Sequence, residues 1–389
     1  MADIKTLANP LMRDLALPVD RPIQSPENLK LPKDTVIVSA DSHWDPTADI
    51  FFERLPEKFR EKAPRIWMDK VVKFKVSDGK GGYINPFSPA ISEIYEANSG
   101  VSGIHDLDLR VEHMNREGIA KEINFPGFVL AFAHTPDFEM REAIYRVFNE
   151  HLAEMQAHNA GRSYGVAVLS NWWDGARARE AVRQIVDLGF KTMMLPLYPG
   201  NGLDGKPIVW SEPAYDELWS AIADSGLPLC FHVGESSMVS GRGAWGIRVL
   251  STIAPFVPTL AQLIFGGIFD RNPKLRVVFS EGGISWVPPA LQDAEMIYDS
   301  YPGLHKPLPK LRPSEYWAKH CAASFMNDRL GLELIDYIGV DNAMWSSDYP
   351  HAEGSFGYSA SSIQTVLDMV SPEDARKILG GNAIRIFNL

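Results

Sequence analysis

Short, continuous apolar runs recur along the chain, and most of them are separated by amphipathic stretches of helical period. A run of this kind is typical of a strand that is buried on both faces, as in a parallel sheet. Strands that alternate with helices indicate parallel βα units, and eight of them favour a (β/α)8 TIM barrel, with a doubly wound sheet as the alternative. The predicted strands are 35–40, 119–125, 163–169, 190–196, 227–231, 275–279, 321–325 and 342–347.

The chain is longer than a bare barrel, which takes about 250 residues. It has 389 residues, and we divide them into an N-terminal arm, 1–34, and one barrel domain, 35–389. The largest insertion lies at about 44–105 and contains a β-hairpin candidate with a glycine-rich turn, 71–87. Loops that follow barrel strands gather at the C-terminal mouth, so these insertions are expected to shape a pocket.

Composition and charge indicate which partners and which cellular compartment to expect. The net charge is −11, and an acidic surface repels phosphate, so we expect no nucleic-acid partner. The N-terminus lacks a continuous apolar segment and the most apolar long stretch, 253–269, is broken by prolines, so we expect neither a signal peptide nor a membrane partner. Cys230 and Cys321 each lie in an apolar run, which favours buried thiols in a reducing compartment. We therefore expect a cytoplasmic protein, and a homo-oligomer (a dimer or larger) in which the arm is either loose or wrapped on a neighbouring subunit.

Ionisable residues follow four of the predicted strands. Asp41 and His43 follow the first strand, His232 the fifth, Glu281 the sixth and Asp348 the eighth. Because residues two apart on a strand face the same side, Asp41 and His43 can both point inward. Taken singly, each residue could be a cap, a turn residue or a core histidine. Together they predict a metal site, since ionisable groups are rarely buried unless they are paired or bind a metal.

Other residues near the strand ends are candidates for substrate contact or catalysis. Arg242 and Arg248 lie in the loop after the fifth strand, where either could bind a carboxylate bidentately. Trp44 follows the first strand and could form an aromatic wall of the pocket. His351 follows the eighth strand and is a candidate acid or base.

Five segments resemble the amidohydrolase superfamily, and more closely its amidohydrolase 2 branch, which is related to aminocarboxymuconate-semialdehyde decarboxylase. They are VIVSADSHWDP, FHVG, LRVVFSEGGISWVP, WSSDYPHAEG and KILGGNAIRIF. The resemblance runs from about residue 35 to the end, and it implies a TIM barrel with a divalent metal at its C-terminal mouth. It matches Asp41, His43, His232 and Asp348 to the family's metal-binding positions. Members of the family include hydrolases, non-oxidative decarboxylases and hydratases, and a few are dinuclear non-haem iron oxygenases.

Two positions depart from the family pattern. The first motif is usually His-x-His, and the change to Asp41-x-His43 makes the site harder and more anionic, which favours Zn, Mn or Fe. Many decarboxylases of this branch have a histidine where Glu281 stands. Glu281 is therefore a candidate fifth metal ligand. With His351 it could complete a second metal site, or the two could act as acid and base, so we expect one or two ions.

The sequence and the resemblance together predict a metal-dependent hydrolase of the amidohydrolase type. It would act on a small carboxylated or aromatic substrate through a metal-activated water. Asp348 would accept the proton of the water and pass it to the leaving group, with Glu281 or His351 orienting the water or stabilising charge. Two alternatives stay open, a metal-dependent non-oxidative decarboxylase (a carboxy-lyase) and a dinuclear Fe/Fe or Mn/Fe oxygenase.

Overall fold

Parallel strands form the centre of the fold in a computed structural model of the chain. The model describes residues 26–46, 48–69, 71–77, 82–84, 102–104, 106–127, 129, 132, 135–234, 242–243, 246–247, 250–251, 253, 255–351 and 353–389. Its strands are β1 (Val38–Trp44), β2 (Arg65–Asp69), β3 (Val71–Ser77), β4 (Tyr83–Ile84), β5 (Lys121–Pro126), β6 (Ser163–Gly165), β7 (Ala167–Val168), β8 (Met193–Met194), β9 (Leu229–His232), β10 (Val277–Ser280), β11 (Cys321–Phe325) and β12 (Ala343–Trp345).

The barrel has eight strand positions. Strands β1, β5 and β6 pair in parallel, and β7 to β12 pair in parallel in chain order. Only Val166 separates β6 from β7, so these two strands share one position. After β12, the N–H of Asp348 donates to the carbonyl of Asp41 at 2.9 Å, and the N–H of His43 donates to the carbonyl of Tyr349 at 2.7 Å. These bonds close the sheet on itself, and the predicted TIM barrel is confirmed over the doubly wound alternative.

Amphipathic helices connect the strands. In the helix of residues 178–187, for example, the buried residues Ala178, Ala181, Val182 and Ile185 form one stripe at helical spacing. The helices are α1 (Ile50–Arg54), α2 (Glu57–Arg60), α3 (Leu107–Arg116), α4 (Phe138–His158), α5 (Ala178–Asp187), α6 (Asp216–Ser225), α7 (Val257–Phe265), α8 (Ile268–Arg271), α9 (Val287–Ser300), α10 (Pro313–His320), α11 (Arg329–Glu333), α12 (Ile335–Ile338), α13 (Ser359–Met369), α14 (Pro372–Arg376) and α15 (Asn382–Phe387).

The insertion between β1 and α3 contains a small antiparallel sheet. Strand β2 pairs with β3, and β3 pairs with β4 through Val76 and Ile84, which agrees with the predicted hairpin. Most of its glycine-rich turn, like residues 1–25 of the predicted arm, lies outside the described residues. Cys230 and Cys321 are both free and buried, as expected. Among the helices that the structure describes, none has the length and apolar character that crossing a membrane requires.

Candidate metal centre

Asp41 and His43 lie within the first barrel strand rather than after it. Strand β1 continues to Trp44, four residues beyond the predicted end. Asp41 and His43 are 0% and 2% exposed. Since alternate residues of a strand face the same side, the strand presents both side chains together at the mouth of the barrel.

His232 is the last residue of β9, and its ring is oriented by the backbone. Its Nδ1 lies 2.8 Å from the carbonyl oxygen of Val233, so this nitrogen donates and carries the proton. Nε2 is then directed at the cluster, 3.3 Å from Asp41 Oδ1 and 2.9 Å from Glu281 Oε2. A histidine held in this way has its second nitrogen ready to bind a metal.

Glu281 and Asp348 follow β10 and β12 in an unusual backbone conformation. Their φ angles are 66° and 53°, in the left-handed region that residues with a Cβ avoid. Each such conformation costs on the order of 1–3 kcal/mol and is found preferentially at functional sites. It is supported here by neighbouring strands, because the N–H of Glu281 donates to Ser324 Oγ at 3.1 Å and that of Asp348 donates to the Asp41 carbonyl.

The Nε2 atom of His43 lies at the centre of the cluster. It is 3.0 Å from Asp348 Oδ1, 3.3 Å from Glu281 Oε2 and 3.7 Å from Asp41 Oδ1. The His43 ring lies edge-on to that of His232, with ring centroids 5.1 Å apart. The five metal ligands predicted from the sequence are therefore brought together by the fold.

His351 extends the cluster towards solvent. Its Nδ1 lies 2.9 Å from Asp348 Oδ1 and 3.8 Å from Glu281 Oε1, and its ring stacks on that of His43 with centroids 3.9 Å apart. Two overlapping sets of four side chains have donor atoms within 4.8 Å of one another. They are Asp41, His43, His232 and Glu281, and His43, Glu281, Asp348 and His351.

Several donor atoms of this cluster are buried without a hydrogen bond from the described residues. They include Oδ2 of Asp41 and Oδ2 of Asp348, whereas Oδ1 of Asp348 and Oε2 of Glu281 lie 2.9–3.3 Å from histidine nitrogens. A buried carboxylate is unfavourable unless a cation or hydrogen bonds compensate its charge. The mixture of carboxylate and imidazole donors suits Zn, Mn or Fe. The residues therefore fit a divalent metal.

The charges of the cluster shift its pKa values strongly. Burial raises the pKa of Asp41 to about 6, although His232 lowers it. Burial by itself lowers the pKa of His232, but Asp41 and Glu281 outweigh it and hold that pKa well above the usual range. Burial likewise lowers the pKa of His351, but Asp348 and Glu281 raise it well above the usual range. The carboxylates thus favour the protonated form of both histidines, and a metal bound to Nε2 of His232 would compete with the proton there.

Of the three predicted substrate contacts, the structure describes Trp44 and Arg242. Trp44 is fully buried, on the face of β1 opposite to His43, and its ring centroid lies 5.6 Å from Cζ of Arg110. Its position in the core does not support a contact with substrate. Arg242 is exposed, and Arg248 lies outside the described residues.

A buried ion pair next to the metal cluster could not be predicted from the sequence. Arg110 of α3 donates to both carboxylate oxygens of Glu122 at 2.6 and 3.0 Å, and both side chains are buried. The signal in the sequence is the charged Glu122 within the predicted buried strand IAKEINF, since a carboxylate buried in a strand requires a cation nearby. That signal does not tell which cation of the chain is the partner.

Comparison with known families agrees with the site. The family model for amidohydrolases matches residues 124–389, more than half of the chain. The chain belongs to the amidohydrolase family. The match includes His232, Glu281 and Asp348, whereas Asp41 and His43 lie before it. The resemblance of the sequence to the amidohydrolase 2 branch is thereby confirmed.

Relatives of this amidohydrolase include decarboxylases. The 2-amino-3-carboxymuconate-6-semialdehyde decarboxylase of Dictyostelium discoideum is 24% identical over 294 residues, which cover 74% of this chain and 78% of the relative. A solved amidohydrolase from Mycobacterium avium subsp. paratuberculosis K-10 superposes with a TM-score of 0.73 at 24% identity, over 92% of this chain and 100% of that one. A dihydroxybenzoic acid decarboxylase from Polaromonas sp. JS666, solved with manganese and the inhibitor 2-nitroresorcinol, superposes with a TM-score of 0.66 at 18% identity, over 91% and 97%. These two structures support the barrel fold.

Proposed function

We propose that this amidohydrolase is a metal-dependent non-oxidative decarboxylase that acts on a small carboxylated aromatic compound. The observation that carries the proposal is the buried cluster of three carboxylates and three histidines at one end of the barrel. The relatives favour this alternative over the hydrolase predicted from the sequence, because two of the three are decarboxylases and none is named as an oxygenase.

The first set of donors is proposed as the metal site. Asp41, His43, His232 and Glu281 would hold a divalent ion, and manganese is the first candidate because the Polaromonas relative is solved with it. When bound, the ion supplies positive charge that stabilises the anionic oxygens of the substrate. The negative charges of Glu281 and Asp41 reduce the net positive charge that the ion brings to the site.

Asp348 and His351 are proposed to move the proton. In decarboxylation the bond between the ring carbon and the carboxylate carbon breaks, carbon dioxide leaves, and the electron pair stays on the ring carbon, which then takes up a proton. Asp348 would relay that proton to the ring carbon. His351, whose side chain is 21% exposed against 0% for Asp348, would return one from solvent across the 2.9 Å contact.

A buried aromatic ring favours an aromatic substrate and helps to exclude water. The ring of Phe125 in β5 is fully buried, with its centroid 4.5 Å from that of His232 and 6.4 Å from that of His43. An apolar surface next to the donors favours a flat aromatic ring over a polar chain. It also leaves fewer positions for the water that hydrolysis requires.

Analysis of the products tests the proposal. Protein loaded with Mn²⁺ is incubated with a panel of hydroxybenzoates, amides and lactones, with metal-free protein as the control. Decarboxylation in D₂O releases carbon dioxide and leaves one deuterium on the carbon that lost it. Uptake of ¹⁸O from labelled water into an acid product, without carbon dioxide, would restore the hydrolase prediction. Turnover that requires dioxygen would favour the oxygenase.

A further inference from the structure

The guanidinium of Arg110 is fully buried behind the metal cluster, and all five of its N–H donors are used. Besides the two bonds to Glu122, it donates to Asn124 Oδ1, to the carbonyl of Gly103 at 3.3 Å and to the carbonyl of His43 at 2.9 Å. A planar guanidinium with every donor satisfied has one orientation, and it imposes that orientation on its acceptors. The backbone of His43 is one of them.

Tyr349 forms the second connection between Arg110 and His43. The carbonyl of Tyr349 accepts from the N–H of His43 at 2.7 Å. The ring of Tyr349 lies over the guanidinium, with its centroid 4.7 Å from Cζ of Arg110, and its hydroxyl lies 2.9 Å from Nδ1 of His113. Helix α3, which carries Arg110 and His113, therefore holds both backbone polar groups of His43, one directly and one through Tyr349.

The contacts of Arg110 with Tyr349 also affect Asp348, on the other side of the metal site from His43. Tyr349 directly follows Asp348, whose Oδ1 lies 3.0 Å from Nε2 of His43. A change at Arg110 would thus displace Asp348 Oδ1 and His43 Nε2 relative to each other. An ion pair between Arg110 and Glu122 alone would not explain this arrangement, because a buried pair adds little net stability and apolar residues would fill the same space.

We propose that Arg110 is a positioning residue of the metal centre, which sets the place of His43 relative to Asp348 through the His43 carbonyl and the ring of Tyr349. The inference rests on the metal site of the proposed function but not on the reaction. Groups that orient metal ligands change metal affinity typically about 10–100-fold when they are replaced. Arg110 is expected to fall in that range.

The test compares Arg110→Lys with Arg141→Lys. Arg141 is a matched control, because it is also buried, packs on the rings of Phe138 and Trp173 and donates to a carbonyl, that of Thr135. Mn²⁺ affinity and the EPR spectrum of bound Mn²⁺ are measured well below the melting temperature of each apoprotein. We expect Arg110→Lys to weaken Mn²⁺ binding about 10–100-fold and to alter the spectrum, and Arg141→Lys to change neither.

Unchanged affinity in folded Arg110→Lys, or an equal loss in both variants, would overturn the proposal. If Arg110→Lys does not fold, Tyr349→Leu decides, since it removes the ring that lies over the Arg110 guanidinium. That variant is then expected to weaken Mn²⁺ binding measurably, and full affinity in it counts against the proposal. The readout is Mn²⁺ binding, so a protein without decarboxylase activity would contradict the proposed function but not the role of Arg110. Wild-type protein that binds no Mn²⁺ would overturn the role of Arg110.

Discussion

Asp348 Oδ1 lies 3.0 Å from Nε2 of His43, which joins the residue after the last barrel strand to a residue within the first. Both side chains are buried, and the two strands meet through the bonds from the Asp348 and His43 N–H groups. The metal cluster is therefore a product of barrel closure. Its donors cannot come together while the seam between β1 and β12 is open.

Removing two donors of the first set is expected to abolish metal binding. In Asp41→Ala with His43→Ala, two of the four donors are lost, and Mn²⁺ retained after dialysis should fall from about one ion per chain to nearly none. Metal analysis at known protein concentration measures this. Asp108→Ala with His158→Ala is the matched control, because that pair is likewise an aspartate next to a histidine, 2.9 Å apart, but lies on the surface. Full metal retention in Asp41→Ala with His43→Ala would refute the proposed metal site.

Glu281→Gln tests the number of ions. We expect one ion per chain in the wild type, because Nε2 of His43 belongs to both donor sets and one imidazole nitrogen binds one ion. The glutamine keeps one oxygen donor and loses the charge, so Mn²⁺ affinity should fall about tenfold or more with the fold intact. Titration followed by EPR measures both quantities, with Glu295→Gln as a surface control. Two ions per chain in the wild type would instead make Asp348 and His351 ligands of a second ion.

Asp348→Asn separates proton transfer from metal binding. Asparagine keeps the size and one oxygen but cannot supply a proton at neutral pH. We expect most of the metal to remain and kcat to fall by about 10²-fold or more, with KM changed much less, because the proton moves in the transition state. Steady-state kinetics on the substrate found in the panel measures the two constants. A near-normal kcat would remove Asp348 from the proton path.

The stability of the metal-free protein is expected to depend on pH above neutrality. The pKa values of His232 and His351 are raised in the folded state by Asp41, Asp348 and Glu281. Their stabilising contribution is complete below the unfolded pKa of about 6.5 and is lost as pH rises through the folded values. The melting temperature of apoprotein should thus fall as pH rises above about 6.5. Calorimetry measures it.

The Mn²⁺-loaded protein provides the contrast for that measurement. In it the His232 nitrogen that binds the ion is already deprotonated, so its melting temperature should change less than that of the apoprotein over the same pH range. Metal binding to the apoprotein should also release protons, which calorimetric titration in buffers of different ionisation enthalpy detects. A flat apoprotein profile, or binding without proton release, would show that the histidines are neutral before the metal arrives.

The barrel and most of the site could be predicted from the sequence, because their signals are local. Apolar runs mark the strands, and Asp41, His43 and His232 are recognisable from their places at strand ends. The cytoplasmic location, the homo-oligomer and the substrate contact of Arg248 stay predictions. Trp44 is fully buried at the end of β1, which does not support the predicted contact with substrate, and its direction depends on β1 continuing past the predicted end.

Other features could not be predicted from the sequence because they depend on residues that are far apart in the chain. The partner of Glu122 is Arg110, which lies on a helix, and nothing in the local pattern distinguishes it from the other arginines of the chain. The left-handed conformations of Glu281 and Asp348 also have no local signal, since those residue types ordinarily avoid it. Both features are imposed by tertiary contacts made at the mouth of the barrel.

The closure of the barrel between β1 and the segment after β12 has a consequence for biosynthesis. A chain emerging from the ribosome exposes Asp41 and His43 before Asp348 and His351, because synthesis follows chain order. The nascent protein therefore carries an incomplete donor cluster until the segment after β12 has been made. We expect metal binding to follow the joining of that segment to β1, so barrel closure during biosynthesis precedes metal loading.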